Sequence, residues 1–214
     1  MSGREQAGDM DNLDMYEAIY RQAEGDPSRV PWNRSGAHDR LLEWLEREAV
    51  EGAGRRALVV ACGMSRDAEA LAARGFDVVA FDRSPTAIAW CRQAYAGSPV
   101  QYVEADLFHP PAHWQRAFDF VLETFTLQAL PAEIRAAARA RIADFVAPGG
   151  SLLVITFGRQ PETVVEGPPW PLTRDEVEAF TQHGLEIVTF EDFRTPHPEW
   201  ERLRWFRVLL RRAA

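Results

Sequence analysis

The stretch "RRALVVACGMSRDAEALAARGFDVVAFDRSP", Arg55 to Pro85, decides how the rest of the chain is read. Ala57 to Ala61 form a short apolar run, the pattern of a strand buried on both faces. The turn "ACGMSRD" follows, then a helix closed by Gly75, then a second strand from Asp77 to Phe81 with Asp82 at its end. Ser84 offers an N-cap and Pro85 a first helical position for the next helix. A turn between a strand and a helix cradles a nucleotide when it is rich in glycine. This one has Gly63 alone, flanked by Ala61 and Ser65.

Strand and helix signals alternate outward from that unit. Upstream, Leu13 to Gly25 reads as a short amphipathic helix behind a polar, mobile Met1–Asp11 tail. Ala37 to Val50 reads as a second helix, with Leu41, Leu42, Leu45 and Ala49 at core spacing and Gly52 past its end. Downstream, strands are expected over Val100–Ala105, Phe118–Thr124 and Ser151–Phe157, the last entered through a Pro-Gly-Gly turn. A helix from Pro131 separates the latter two strands. Another helix begins at Thr173, which with Glu176 forms a capping box, and Gly184 closes it. "LEIVTFEDF" and "RLRWFRVLLRR" are two final strands joined only by "RTPHPEW". So short a link suits an antiparallel pair, because parallel strands need a crossover of a dozen or more residues. The pattern predicts an α/β fold: a mostly parallel sheet with helices on both faces and an antiparallel C-terminal hairpin.

Bulk properties narrow the function. The 214 residues suit one domain, and the 46% hydrophobic content is that of a globular protein. A formal charge of −8 repels phosphate backbones, and no basic run with interleaved aromatics points to nucleic acid. No apolar run reaches membrane-span length and no secretion signal opens the chain, so a cytoplasmic protein off the membrane is expected. All 24 basic residues are arginine. The absence of lysine excludes a Schiff-base lysine and the lysine of a P-loop. Cys62 and Cys91 make neither a disulfide framework nor a metal motif. His109 and His113 have helical spacing, but Pro110 and Pro111 break the helix a paired-histidine metal site needs. No metal is expected.

Ligands of open parallel sheets bind at the carboxyl ends of the strands. The turn "ACGMSRD", Asp82, Asp106, and Glu123 with Thr124 all fall there. Asp82 lies about 20 residues beyond the turn, the distance at which a carboxylate grips ribose hydroxyls. Asp106 suits an adenine amino group, with Leu107 against the ring, or else a plain turn. Asp67 is either a ligand or a first-turn acid favoured by the helix dipole. The turn alone leaves two cofactors open. Read from Gly63 it weakly matches the dinucleotide pattern G-x-G-x-x-G. Read from Ala61 it weakly matches G-x-G-x-G, the turn that holds S-adenosylmethionine (SAM).

The second half of the chain separates them. The Pro-Gly-Gly turn into the fifth strand and the C-terminal hairpin resemble class I SAM-dependent methyltransferases. The segments 59–88, 118–136 ("FDFVLETFTLQALPAEIRA"), 147–157 ("APGGSLLVITF") and 166–180 ("EGPPWPLTRDEVEAF"), with the upstream "VPW", are similar to the thiopurine/thiol methyltransferase family and its tellurite and halide methyltransferase relatives. The "GPPWPLT" segment is the most specific, and the resemblance spans about Tyr16 to Arg211. It implies a Rossmann-like seven-stranded sheet in the order 3-2-1-4-5-7-6, with residues 1–34 a mobile lid and 35–214 a single methyltransferase domain. By that resemblance Ala61, Cys62, Gly63, Ser65 and Asp67 cradle the methionine end of SAM and Asp82 holds the ribose. Arg83 and Ser84 lie beside the adenosine, and Ala105, Asp106 and Leu107 flank the adenine. Glu123 and Thr124 approach the sulfonium side, while Trp32 and Arg34 cap the site. Phe125, Trp170 and Leu172 face the acceptor.

Family members have glycine where this chain has Ala61 and Ser65. Close approach to SAM survives there if φ stays negative, and costs roughly 1 kcal/mol if it does not. The expected activity is methyl transfer to a small acceptor, a thiol or other soft nucleophile, with S-adenosylhomocysteine as product. In-line displacement needs alignment and a dry site rather than a covalent intermediate. No catalytic residue is assigned: His38 and His183 are the only histidines considered as a base. Trp44, Trp90 and Trp205 have the spacing of core residues, whereas Trp32 and Trp170 sit in Pro-rich loops where pocket roles suit them. A nicotinamide-dependent oxidoreductase and a catalytically degenerate SAM-binding protein are the alternatives. A monomer or a homodimer fits equally.

Overall fold

A computed structural model describes residues 5–195 and 203–214, with side chains from Asp14 onward. The strands are β1 (Arg56–Val60), β2 (Asp77–Asp82), β3 (Gln101–Glu104), β4 (Phe118–Thr124), β5 (Val146–Phe157), β6 (Leu185–Thr195) and β7 (Leu203–Arg212). They form one seven-stranded sheet in the order β3-β2-β1-β4-β5-β7-β6. The pairs β1–β2, β2–β3 and β4–β5 are parallel, and β7 runs antiparallel to both β5 and β6. This is the Rossmann-like order that the resemblance implies. Helices α1 (Glu5–Gln22), α2 (Asp39–Arg47), α3 (Arg66–Ala73), α4 (Pro85–Ala94), α5 (Ala132–Phe145) and α6 (Arg174–Glu178) lie around it. Among the described residues, no helix is long and apolar enough to cross a membrane.

By its contacts the chain forms two compact units, one ending at Pro110 and one beginning at Pro111. In the first, Ala57–Val60 of β1 and Val78–Phe81 of β2 are continuously buried, as strands covered on both faces must be. A satellite cluster of Tyr20, Ala23, Val30 and Ala87, with Met64 and Trp90 against it, ties α1 to α4. In the second, Phe120–Glu123 of β4 and Leu152–Thr156 of β5 are buried in the same way. The outermost strand, β6, is largely solvated, and a register shift between Ile187 and Thr189 leaves Val188 exposed.

The local signals explain most boundaries. The Ser84 hydroxyl caps α4 by accepting from the Ala87 amide, with Pro85 in the first turn. Thr173 and Glu176 form the expected capping box. Gly75 and Gly184 end their helices at φ of 83° and 75°. Four differences stand out. Helix α1 begins at Glu5 rather than Leu13, so residues 5–11 are helical rather than a loose tail, although Gly8, Asp9 and Asp11 are weak helix formers. Helix α2 turns Leu41, Trp44 and Leu45 inward but leaves Leu42 in solvent, and it ends before Ala49. Strand β5 begins at Val146 and runs through the Pro-Gly-Gly turn, where its pairing with β4 shifts register. The helix at Thr173 tightens after Glu178 into a 3-10 turn, Ala179–His183. Residues 1–4 and the β6–β7 connection, 196–202 with His197 included, lie outside the described residues.

Candidate functional site

The turn after β1 is built on left-handed backbone. Ala61, Gly63 and Ser65 have φ of 45°, 52° and 61°. An alternating glycine pattern serves this geometry, so of the two cases weighed for Ala61 and Ser65 the structure shows the strained one, with φ positive. Each of those two residues holds a conformation that costs roughly 1 kcal/mol without glycine. Short hydrogen bonds offset the cost: Cys62 N donates to Phe81 O and Ser65 N to Cys62 O, both at 2.8 Å. At Gly63 space is limiting too, since an added Cβ would lie 3.0 Å from the Tyr20 hydroxyl. Beneath the turn the Cys91 thiol donates to Gly63 O at 3.2 Å. Burial, reinforced by Cys91, pushes the Cys62 thiol well above its ordinary range, so it stays protonated.

Asp82 locks this turn to the end of β2. Its Oδ2 accepts from Gly63 N at 2.8 Å and its Oδ1 from Ser84 N at 2.9 Å. Burial raises its pKa, the amides of Ser84, Gly63 and Arg83 pull it down, and the charge of Glu17 pushes it up again. A carboxylate has about four lone-pair sites, so Asp82 keeps acceptor capacity beyond these amides. Ala105 N donates to Asp82 O at 3.1 Å, which sets β3 beside it. Asp106 makes a turn: its Oδ1 accepts from Phe108 N at 3.0 Å, and its Oδ2 lies 2.7 Å from His109 Nδ1. Leu107 is buried next to it.

Asp67 and Arg66, the first residues of α3, stitch the segment 33–38 onto that helix. Asp67 accepts from Arg34 Nη2 at 3.0 Å and from His38 N at 2.7 Å. Arg66 donates to Asn33 Oδ1 at 3.0 Å and to the carbonyl of Arg34. Asp67 is therefore more than a first-turn acid. Arg34 Nη1 is buried with no partner. His38 caps α2, its Nδ1 accepting from Arg40 N at 3.0 Å. Burial, then Arg34, lowers its pKa to about 4, so the ring is neutral as the cap requires.

Helix α1 supplies residues that the sequence reading missed. Asp14 pairs with Arg83 at 3.0 Å, and Glu17 accepts from the hydroxyls of Ser84 and Thr86 at 2.5 and 2.7 Å. The Tyr20 hydroxyl accepts from Trp32 Nε1 at 2.8 Å. The Tyr16, Tyr20, Trp32 and Trp90 rings meet edge to face, with centroids 5.3 to 5.9 Å apart. Burial pushes the Tyr16 hydroxyl up to about 12. The available signal was the spacing of Tyr16 and Tyr20, four apart on one helical face with Glu17 between them.

In the second unit, the carboxyl end of β4 carries two unsatisfied polar atoms. Glu123 is fully buried; its Oε1 accepts from Leu127 N at 2.9 Å, but Oε2 has no partner, nor has the buried Thr124 Oγ1. Burial raises the Glu123 pKa to about 7, opposed by the amides of Leu127 and Thr126. Phe125, next in the chain, is left-handed at φ 66°. Its ring lies 4.9 Å from Phe157 and 5.8 Å from Trp205, and those two rings are 4.6 Å apart. Phe157 and Trp205, the latter read from the sequence as a packing residue, thus join Phe125 in an aromatic cluster. Gln128 holds the "GPPWPLT" segment: its carbonyl accepts from Trp170 N, and its side-chain oxygen accepts from Phe157 N, each at 2.7 Å. The Trp170 ring sits where a Cβ on Gly167 would come within 2.7 Å, and the Arg135 guanidinium lies 5.9 Å from it. Leu172 is wholly buried and its N–H donates to Phe157 O, so its side chain presents no open face.

A model of the thiopurine S-methyltransferase family matches residues 23–208. The chain is 26% identical over 178 residues to a thiopurine S-methyltransferase of Shewanella amazonensis, covering 76% of this chain and 81% of that one. It is 28% identical over 152 residues to the 2-heptyl-1-hydroxyquinolin-4(1H)-one methyltransferase of Mycobacteroides abscessus, covering 68% of this chain and 65% of that one. Among solved structures it resembles a Burkholderia thailandensis 1,6-didemethyltoxoflavin-N1-methyltransferase with bound 1,6-didemethyltoxoflavin and S-adenosylhomocysteine. The TM-score is 0.73 at 18% identity, over 96% of this chain and 91% of that one. That likeness speaks for the fold.

Proposed function

This chain belongs to the thiopurine S-methyltransferase family of SAM-dependent methyltransferases, and from that premise we propose that its acceptor is a small molecule with a soft nucleophilic atom, a thiol foremost. SAM supplies an activated methyl on a sulfonium. The reading rests on one observation above the others: the Gly63 N–Asp82 Oδ2 bond, which makes the turn and the strand-end acid a single unit.

The residues present suit the cofactor. Asp82 keeps lone pairs for ribose hydroxyls, and Arg83 and Ser84 stand beside the adenosine. Ala105, Asp106 and Leu107 flank the adenine. Ala61, Cys62, Gly63 and Ser65 bring backbone close to the methionine end, and Asp67 holds Arg34 there. The buried, unpartnered Nη1 of Arg34 suits the methionine carboxylate. Residues 1–34 act as the lid, with Trp32 fastened through Tyr20. In the second unit, Glu123 Oε2 and Thr124 Oγ1 are the polar atoms reserved for the sulfonium side. Phe125 and Trp170 serve the acceptor; Leu172 supports them from beneath. The chain's own work is alignment and exclusion of water, since a thiol acceptor attacks as its thiolate with little help.

Calorimetry with SAM and with S-adenosylhomocysteine tests the cofactor assignment, and methylation of a panel of thiols, hydroxyls and ring amines tests the acceptor. Binding of both cofactor forms, with thiols methylated fastest, is expected. A folded protein that binds neither form overturns the first assignment. Faster methylation of hydroxyls or ring amines overturns the second.

A further inference from the structure

The amino ends of β4 and β5, the edge of the second unit opposite Glu123 and Phe125, carry a concentration of positive charge that the methyltransferase reading does not use. A cavity of about 250 Å³ is lined there by Arg116, Ala140, Arg141, Asp144, His183 and Arg212. Three arginines face one carboxylate, on a chain whose formal charge is −8. The seven residues of β4 separate this cavity from Thr124 by roughly 20 Å at strand rise.

The charges are poorly neutralised. Arg212 is buried and gives its N–H groups to the carbonyls of Val146, Ala143 and His183 at 2.9, 2.7 and 3.3 Å, which fixes the guanidinium without an ion pair among the described residues, Asp144 opposing its charge only from a distance. Arg116 Nε is 3.8 Å from Asp144 Oδ1, a loose pair, and its backbone is held left-handed at φ 47°. Asp144 also accepts from Gln115 at 3.3 Å. Arg141 is exposed and has no hydrogen-bonding or ionic partner among the described residues. Behind the cavity, Arg139 Nε is buried and unpartnered. The His183 ring feels this field: burial first, then Arg139 and Arg212, lowers its pKa.

We propose that this cavity is an anion site for a phosphate-type tetrahedral oxyanion, either inorganic phosphate or the phosphate of a small metabolite. Planar guanidinium groups match such oxygens in pairs, and the fixed Arg212 needs no reordering to offer its charge. His183 makes the site pH-sensitive. A bound dianion stabilises the imidazolium, so binding raises the proton affinity of His183, while protonation of the phosphate itself opposes binding at the acid end.

The test is a titration of the full chain with sodium phosphate at constant ionic strength, followed by the His183 ring resonance. Saturable binding that raises the His183 pKa by about 1 unit is expected. Arg141→Ala and Arg116→Ala should each weaken it about tenfold or more. Arg74→Ala, at a surface arginine paired with Glu46, should leave it unchanged. Glycerol phosphate, titrated alone, separates the two sources: tighter binding than inorganic phosphate identifies an organic phosphate, and equal or weaker binding the free ion. A His183 pKa that does not move with either ligand overturns the proposal. So does binding that Arg141→Ala and Arg74→Ala weaken alike, which is charge screening rather than a site. A far-UV circular dichroism spectrum and melting temperature equal to the wild type's show that Arg141→Ala is folded.

Discussion

The carboxyl end of β2 and the carboxyl end of β4 are assembled on opposite terms. Around β2 three carboxylates are engaged: Asp82 with two backbone amides, Asp67 with Arg34 and His38, Glu17 with two hydroxyls. Around β4 the buried Glu123 Oε2 and Thr124 Oγ1 are left without partners, beside a loose group of aromatic rings. Buried polar atoms without partners are rare and destabilising, so they survive where something else completes them. In the first region the carboxylates are held by hydrogen bonds, and the atoms left open are Arg34 Nη1 and Ser65 Oγ. In the second the carboxylate itself keeps an open oxygen, Glu123 Oε2, next to the open Thr124 Oγ1.

The contrast breaks most sharply at Asp82. Asp82→Asn removes the charge while keeping the shape, and SAM affinity should fall about 100-fold by calorimetry, with the fold retained. A loss smaller than about threefold would mean that Asp82 only braces the turn. Glu123→Gln tests the other side. A folded pKa of about 7 against the ordinary 4.5 of a glutamate means that the native state holds the proton more tightly than the unfolded chain. That contribution is complete below pH 4.5 and is lost as pH rises through 7, a decline of roughly 3 kcal/mol. Thermal melts of the wild type should fall over that window, and those of Glu123→Gln should be flatter. Parallel profiles would show that Glu123 is ionised throughout.

Smaller effects sharpen the comparison. Ala61→Gly with Ser65→Gly relieves left-handed strain and should stabilise by about 1 kcal/mol after the added freedom of the unfolded chain is subtracted. SAM affinity should barely change, because the turn already has the required shape; a large gain would instead mark a degenerate site. Glu17→Gln weakens the hold of α1 on α4. Amide exchange in α1 should quicken about fivefold, with little change in β1. Equal quickening in both would make α1 part of the global unfolding unit.

The fold was legible because its signals are local and repeated. Apolar runs marked β1, β2 and β4, and Ser84–Pro85, Thr173–Glu176, Gly75 and Gly184 marked helix ends that the structure reproduces. The turn and Asp82 were legible too, because their spacing along the chain reflects one strand–helix–strand unit. Less legible was anything made by residues far apart in sequence. Glu17 meets Ser84 and Thr86 across 67 and 69 positions, and Gln128 meets Phe157 across 29. Composition does not announce such pairs. Backbone conformation was hidden as well: nothing in the letters Ala61, Ser65 and Phe125 says that all three are left-handed.

Trp32 is 37% exposed, its indole N–H held by the Tyr20 hydroxyl and its ring edge against Tyr16. That makes it an optical reporter native to the chain. A ligand or lid movement that dries its surface would shift its emission to the blue, and one that breaks the Tyr20 bond would shift it to the red. Seven tryptophans contribute to the spectrum, so the difference between the wild type and Trp32→Phe isolates the signal. In a protein without a single lysine side chain to carry a dye, this built-in chromophore watches the N-terminal segment in solution without any label.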